Sequence, residues 1–118
     1  MSDCIFCAIA SKKSPANIEI ETDNVIAFHD LHKDAPVHIL VVPKKHFESL
    51  NDIKDSDGLI IGELFLVAKQ VAEKLNIAKS GYRCIINTNQ DAGQVVKHIH
   101  LHLLGGKPLG PLVQKDLK

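Results

Sequence analysis

From Ile18 to Leu104 the chain is built of short apolar runs of strand length around one long apolar stripe at helical spacing. Ile18-Glu19-Ile20-Glu21 alternates apolar with charged residues, and Thr22-Asp23-Asn24 reads as a turn. Val25-Ile26-Ala27-Phe28 is therefore predicted to return as the second arm of a hairpin. His38-Ile39-Leu40-Val41-Val42 predicts a third strand, ended by Pro43, which lacks the N–H that a central ladder needs. Ile60, Ile61, Leu64, Phe65, Ala68, Val71, Ala72 and Leu75 recur at mostly three- and four-residue steps. That spacing predicts one long helix, with Ser56 or Asp57 as its cap. Gly81–Asn87 reads as a fourth strand and Val95–Leu104 as a fifth, entered through a turn at Asn89-Gln90-Asp91-Ala92-Gly93. Cys4–Ser11 fits one short helix. The predicted architecture is α+β: a five-stranded, mostly antiparallel sheet with the long helix on one face. The other face, or one end of it, is left to carry chemistry.

His98-Ile99-His100-Leu101-His102-Leu103-Leu104 is where that chemistry is expected. On an extended strand the three imidazoles share one face and the aliphatic residues the other, with neighbouring rings about 6–7 Å apart along the chain. An affinity tag would be contiguous histidine. Loose surface histidines would not alternate with strand-core aliphatics. A row of nitrogen donors titrating near neutrality suits phosphoryl chemistry or a metal. A neutral imidazole can attack phosphorus and split one hard displacement into two easier ones, provided its second nitrogen is held as a donor. His100, flanked on both sides, is the natural nucleophile. His38, opening an aliphatic strand just after a proline, reads by itself as a surface residue at a strand end.

Composition narrows the classes. The 118 residues suffice for one domain with a real core, taken as 1–118 with a core over 1–106 and a tail over 107–118. Fourteen basic residues balance fourteen acidic ones, which argues against nucleic acid or an anionic membrane as partner. Lys44, Lys45, Lys97 and Lys107 remain available to a small phosphate ligand. No run approaches a membrane span, and Asp3 stands where a cleaved leader would be basic. Three cysteines do not suit a disulfide framework, so a reducing cytoplasm is expected. No glycine-rich loop joins a strand to a helix, so a phosphate must be held another way.

Cys4-Ile5-Phe6-Cys7 is a second constellation. Its spacing suits a tetrahedral zinc needing two further ligands; a thioredoxin-type redox pair and a pair of vacant thiols are the alternatives. The redox reading expects a preceding strand and a parallel βαβ context, which the pattern lacks. Cys84 reads as buried strand core.

The triad segment resembles the motif of the histidine triad superfamily of nucleotide hydrolases and transferases. Ala27-Phe28-His29-Asp30, Pro36-Val37-His38, Val42-Pro43-Lys44-Lys45-His46, Asn87, Gly93-Gln94 and Gly105-Gly106 match it in order, so the resemblance runs from about Cys4 to Gly106. It is closest in detail to the purine nucleoside phosphoramidase branch. A uridylyltransferase of the superfamily would carry Gln at the third triad position; His102 stands there and favours hydrolysis. The resemblance implies that His100 becomes nucleotidylated, that His102 and His38 contact the phosphate and help the leaving group, and that Asn87 adds a hydrogen bond. It implies that Asp30 accepts from the ribose hydroxyls, that Phe6, Ile9, Phe28 and Leu31 wall the base, and that Gly93, Gln94 and Val95 border the nucleotide. His46 and His98 would complete a structural zinc site with Cys4 and Cys7, no catalytic cofactor being expected. A homodimer is implied as well.

Val95 stands where relatives often carry a Ser able to contact the leaving group, and Lys97 replaces a common aromatic. The resemblance assigns His29 and His32 no role, and both are expected to face solvent. The function expected is hydrolysis of the P–N bond of purine nucleoside phosphoramidates through a nucleotidyl-histidine. The alternatives are dinucleoside polyphosphate hydrolysis, and a nucleotide-binding or interaction module with weak catalysis.

Overall fold

The computed structural model describes residues 4–113. Asp3 and the last five residues of the 107–118 tail, on which two of the sequence expectations fall, lie outside the described residues. Five strands form one sheet in the order β1-β2-β3-β5-β4, every neighbouring pair antiparallel: β1 (Ile18–Glu21), β2 (Val25–His29), β3 (Val37–Pro43), β4 (Tyr82–Ile86) and β5 (Leu101–Gly105). Three helices accompany it: α1 (Ile5–Ala10), α2 (Gly58–Lys74) and α3 (Asn89–Ala92).

Alternation along the strands divides the core in two. Val25, Ala27, Ile39, Val41, Leu101 and Leu103 face α2 and pack against its Leu64, Val67, Ala68, Val71 and Ala72. Ile26, Phe28, Leu40 and Val42 point the other way and are covered by Phe6 and Ile9 of α1. The helix stripe departs from expectation at one place. Phe65 is 48% exposed, whereas Val67 is buried. At 100° per residue, Phe65 falls on the flank of the arc defined by Leu64, Ala68 and Val71. Asp57 is the α2 cap residue, but its carboxylate accepts from Lys54 N at 3.1 Å instead of capping α2 itself. Ser56 lies in the preceding 3₁₀ turn.

Two segments differ more. The turn expected at Asn89–Gly93 is the single helical turn α3, closed by Gly93 at φ 85°. The fifth strand begins at Leu101, not Val95. Its partner β3 ends at Pro43, and the Pro43 carbonyl is taken by the His98 side chain (Nε2···O 2.8 Å), not by a ladder amide. Residues 96–100 therefore run as an irregular segment anchored by Ile99 N donating to Phe47 O at 2.8 Å.

Gly105-Gly106 ends β5 against the entrance to β3. A Cβ on Gly106 would lie 2.9 Å from Pro36 Cβ, at a backbone φ of +95° that side chains disfavour. Gly106→Ala should cost about 1–3 kcal/mol through strain and overpacking. Leu64→Ala should cost about 2–5 kcal/mol through the cavity it leaves. Chemical denaturation midpoints measure both; unchanged midpoints would contradict this packing.

Candidate active site and metal cluster

Four groups converge at the open end of the α1 face. His100, 8% exposed, sits with its ring edge-on to Phe6 (centroids 5.1 Å) and to His102 (4.9 Å). His38, expected at the surface by its position alone, is 1% exposed, because β3 is a central strand flanked by β2 and β5. Its Nε2 lies 2.9 Å from His102 Nδ1 and 3.4 Å from Asp30 Oδ2. Half-buried Asn87 directly follows β4, the strand that pairs with β5 through Ile85↔His102 and Ile86↔Leu101.

Hydrogen bonds fix the tautomers. His100 Nδ1 is 2.7 Å from the His98 carbonyl, an acceptor only, so Nδ1 carries the proton and Nε2 keeps a bare lone pair. The Asp34 backbone N–H donates to His38 Nδ1 at 3.1 Å, which puts the His38 proton on Nε2, where it is donated to His102 Nδ1. The remaining proton of neutral His102 is then on Nε2, a free donor. Burial lowers the His100 pKa; burial, then the neighbouring His100 and His38, push His102 down to about 4. Both rings are neutral at pH 7, as a nucleophile and a hydrogen-bond relay require.

A cavity of about 170 Å³ is lined among others by Phe6, Ile9, Phe28, Asp30 and Leu31; none of the three histidines lines it, and Phe6, edge-on to His100, and Asp30, 3.4 Å from His38, are what it shares with their site. Its walls are mostly apolar, with Asn17, Asp30 and two histidines, His29 and His32, as the polar members. Leu31 is 93% exposed. His32 is exposed as expected, whereas half-buried His29 lines the cavity with its Nε2 2.6 Å from Glu19 Oε2, which corrects the solvent-facing expectation.

Side-chain hydrogen bonds hold the loop at Gly93-Gln94-Val95. The Gln94 side chain is spent on the fold: its Oε1 accepts from Asn89 N at 2.8 Å, and its Nε2 donates to Glu48 O at 2.6 Å and Val96 O at 3.0 Å. Its backbone N–H donates to Asn89 O. Gln94 thus braces the loop, with no donor left for a nucleotide. Gly93 supplies the left-handed turn, and Val95 is 87% exposed; neither lines the cavity. Of the lysines held open for phosphate, Lys44 is paired with Glu21 at 2.6 Å and Lys45 with Asp57 at 3.5 Å.

His98 does not face the same task as His100 and His102. Its ring, fully buried, turns toward Cys4, Cys7 and His46, and the four ligand atoms lie within 4.8 Å of one another. His98 Nδ1 is 3.2 Å from Cys4 Sγ, 3.5 Å from Cys7 Sγ and 3.1 Å from His46 Nδ1; Cys7 Sγ is 3.3 Å from His46 Nδ1. A tetrahedral zinc with ordinary bond lengths has nitrogen–nitrogen edges of about 3.4 Å and nitrogen–sulfur edges of about 3.6 Å, so the set fits within a few tenths of an ångström. His98 Nε2–H donates to Pro43 O, which directs the Nδ1 lone pair into the cluster. A second grouping, Asp30, His38 and His102, fails the same test. The Asp34 amide occupies His38 Nδ1 and leaves a proton, not a lone pair, on the nitrogen that would have to ligate.

The sheet, its helix and the ordered histidines define a histidine-triad protein, and comparison with known sequences and structures agrees. The HIT domain family matches residues 11–109, and the chain belongs to that family. It is 42% identical over 111 residues to a protein of Escherichia coli strain K12 named purine nucleoside phosphoramidase, covering 94% of this chain and 93% of the relative. Among solved structures it resembles a histidine triad protein from Clostridium difficile (44% identity, TM-score 0.92, 96% of this chain and 98% of that one). It also resembles a HIT family hydrolase from Clostridium thermocellum (41%, TM-score 0.93, 97% and 99%). Among the described residues no helix is long and apolar enough to cross a membrane.

The depressed His102 pKa carries a stability signature. Between about pH 4 and the ordinary histidine value of 6.5 the unfolded chain binds the proton that folded His102 refuses, so stability falls as pH drops through this window. Urea midpoints at pH 7 and pH 4.5 should differ, His102 contributing roughly 1–3 kcal/mol to the difference, and His102→Gln should reduce it. An identical pH dependence in that variant would contradict the assignment.

Proposed function

We propose that this chain hydrolyses the P–N bond of purine nucleoside phosphoramidates by double displacement through His100. The observation that carries the reading is the hydrogen bond from His100 Nδ1 to the His98 carbonyl, which leaves Nε2 bare on a ring packed edge-on to Phe6, a residue of the cavity wall. In this reading the base lies between Phe6, Ile9, Phe28 and Leu31, and Asp30 accepts from the ribose hydroxyls.

His100 Nε2 attacks the α-phosphorus, a P–N bond to the imidazole forms, and the bond to the leaving nitrogen breaks. The departing nitrogen takes its proton from solvent, while His102, whose Nδ1 accepts from His38, donates a hydrogen bond from its Nε2–H to the leaving group. The nucleotidylated imidazole is cationic, and its Nδ1–H still points at the His98 carbonyl, which stabilises it. Water then attacks phosphorus, the imidazole leaves, and the proton lost by water passes to solvent. Asn87, which follows β4, is assigned a hydrogen bond to a phosphate oxygen.

Cys4, Cys7, His46 and His98 are proposed to hold a structural zinc. With four protein ligands it has no open position for catalysis. Homology to a bacterial enzyme and the free thiols favour a cytoplasmic protein. Leu59 and Leu66, 90% and 60% exposed on the outer face of α2, favour a homodimer that covers them.

Incubated with adenosine 5′-phosphoramidate and quenched early, the wild type should carry an adenylyl adduct by intact-protein mass spectrometry. His100→Ala should carry none and lose turnover by at least about 10³-fold while staying folded. An adduct on His100→Ala would overturn the nucleophile. A mononucleotide bound tightly, with negligible turnover of phosphoramidates, would favour a binding module, to which exposed, donor-free Val95 points.

A further inference from the structure

The six residues of α1 carry two sets of side chains with different tasks. Cys4, its N-cap, and Cys7, one turn on, belong to the metal-ligating cluster. Phe6 and Ile9, interleaved with them, are the buried residues that wall the cavity. Phe6 sits at the junction: its ring is 5.8 Å from Phe28 in the cavity wall, 5.8 Å from His98 in the metal cluster and 5.1 Å from His100.

A helix this short does not hold itself. Isolated helices below about 12 residues are marginal in water. No acidic residue sits in the first turn of α1, and its N-cap bond is a long one, Cys7 N to Cys4 Sγ at 3.4 Å. What orders it is burial of Phe6 and Ile9 on one side and convergence of two thiols on His46 and His98 on the other. Those imidazoles come from remote segments: His46 follows β3, and His98 precedes β5. A cation at their centre ties α1 to the sheet by two bonds that side-chain packing alone does not provide.

We propose that Cys4 and Cys7 are positioning residues for the nucleotide: filling the cluster sets the cavity wall, so that metal and nucleotide bind with positive, reciprocal coupling through α1. The inference rests on the reading of the cavity as a nucleotide site. With the cluster empty, α1 is held by its apolar contacts alone, and the ordering of Phe6 and Ile9 must be supplied by the nucleotide as it binds. With the cluster filled, that ordering is already done. By linkage, the factor by which metal raises nucleotide affinity is the factor by which nucleotide raises metal affinity. A zinc that only stabilised the fold would change the melting temperature and leave the nucleotide dissociation constant of the folded protein alone.

The test uses the full chain, Zn²⁺ and adenosine 5′-monophosphate. Calorimetry on zinc-loaded and chelator-stripped protein, both checked for folding by circular dichroism, should give about tenfold tighter AMP binding to the loaded form, within the range usual for coupled sites. Competition with a chromophoric chelator should then show zinc held tighter by the same factor at saturating AMP, a readout independent of turnover. Cys7→Ser, which removes one of the two thiols that tie α1 to the cluster, should bind AMP more weakly than loaded wild type and gain less from added zinc. Should the stripped wild type unfold, His46→Ala, whose lost ligand lies outside the cavity lining, is titrated instead; its zinc affinity should fall, and its AMP affinity should fall at wild-type zinc and recover as zinc is raised to saturation. Equal AMP affinity with and without zinc in folded protein, or wild-type AMP affinity in Cys7→Ser, would overturn the coupling. Absence of AMP binding to loaded protein would overturn the nucleotide reading, and the coupling with it.

Discussion

One hydrogen bond, from His100 Nδ1 to the backbone carbonyl of His98, sets the chemistry of this molecule. A main-chain carbonyl can only accept, so it forces the proton onto Nδ1 and leaves Nε2 a nucleophile at neutral pH. The same residue is held by its ring, Nε2 to the Pro43 carbonyl and Nδ1 to the thiol cluster. Residues 96–100 are irregular because these side-chain bonds, not a ladder, determine their course. A regular strand through His98 would have sent that carbonyl to a neighbouring amide and left His100 without its tautomer lock.

The sheet separates stability from function by its two faces. The α2 face is filled with aliphatic side chains, and Cys84, whose thiol burial pushes up, packs among them. On the α1 face a smaller apolar cluster stops short of the strand ends and gives way to Asp30, His38, His100 and His102. Two backbone groups, the Asp34 amide and the His98 carbonyl, then impose opposite tautomers on the two ends of the histidine array. One end becomes an attacking lone pair and the other a proton donor. The arrangement also tells the two metal-like groupings apart, since only the cysteine cluster offers lone pairs where ligands are needed.

Much of this was legible in the residues themselves. The alternation in β1, β2 and β3 and the stripe from Leu64 to Leu75 identified the sheet and its covering helix, because burial on one face imposes a period that survives in sequence. The alternation of Leu101 and Leu103 with His102 was equally visible and survives in β5, whereas His98, Ile99 and His100 before it are all buried and His98 turns to the cysteines instead of sharing a face with the other two imidazoles. What sequence could not show was long-range: that Pro43 and Phe47 would capture His98 and Ile99, shortening β5, and that central-strand pairing would bury His38. Gln94 illustrates the limit well. Motif position implied a nucleotide contact, while three hydrogen bonds to backbone at Asn89, Glu48 and Val96 make it a brace. His29 could have been noticed, since it pairs with Glu19 across the β1–β2 hairpin, an opposite-charge pairing that the hairpin register makes reachable.

The most direct measurement of the tautomer lock is nitrogen-15 NMR of the histidine side chains at pH 7, with the His100 resonances assigned by loss in a His100→Gln sample. The account predicts a neutral His100 protonated at Nδ1, with Nε2 bare, alongside a His38 protonated at Nε2. A His100 protonated at Nε2, or at both nitrogens, would contradict it.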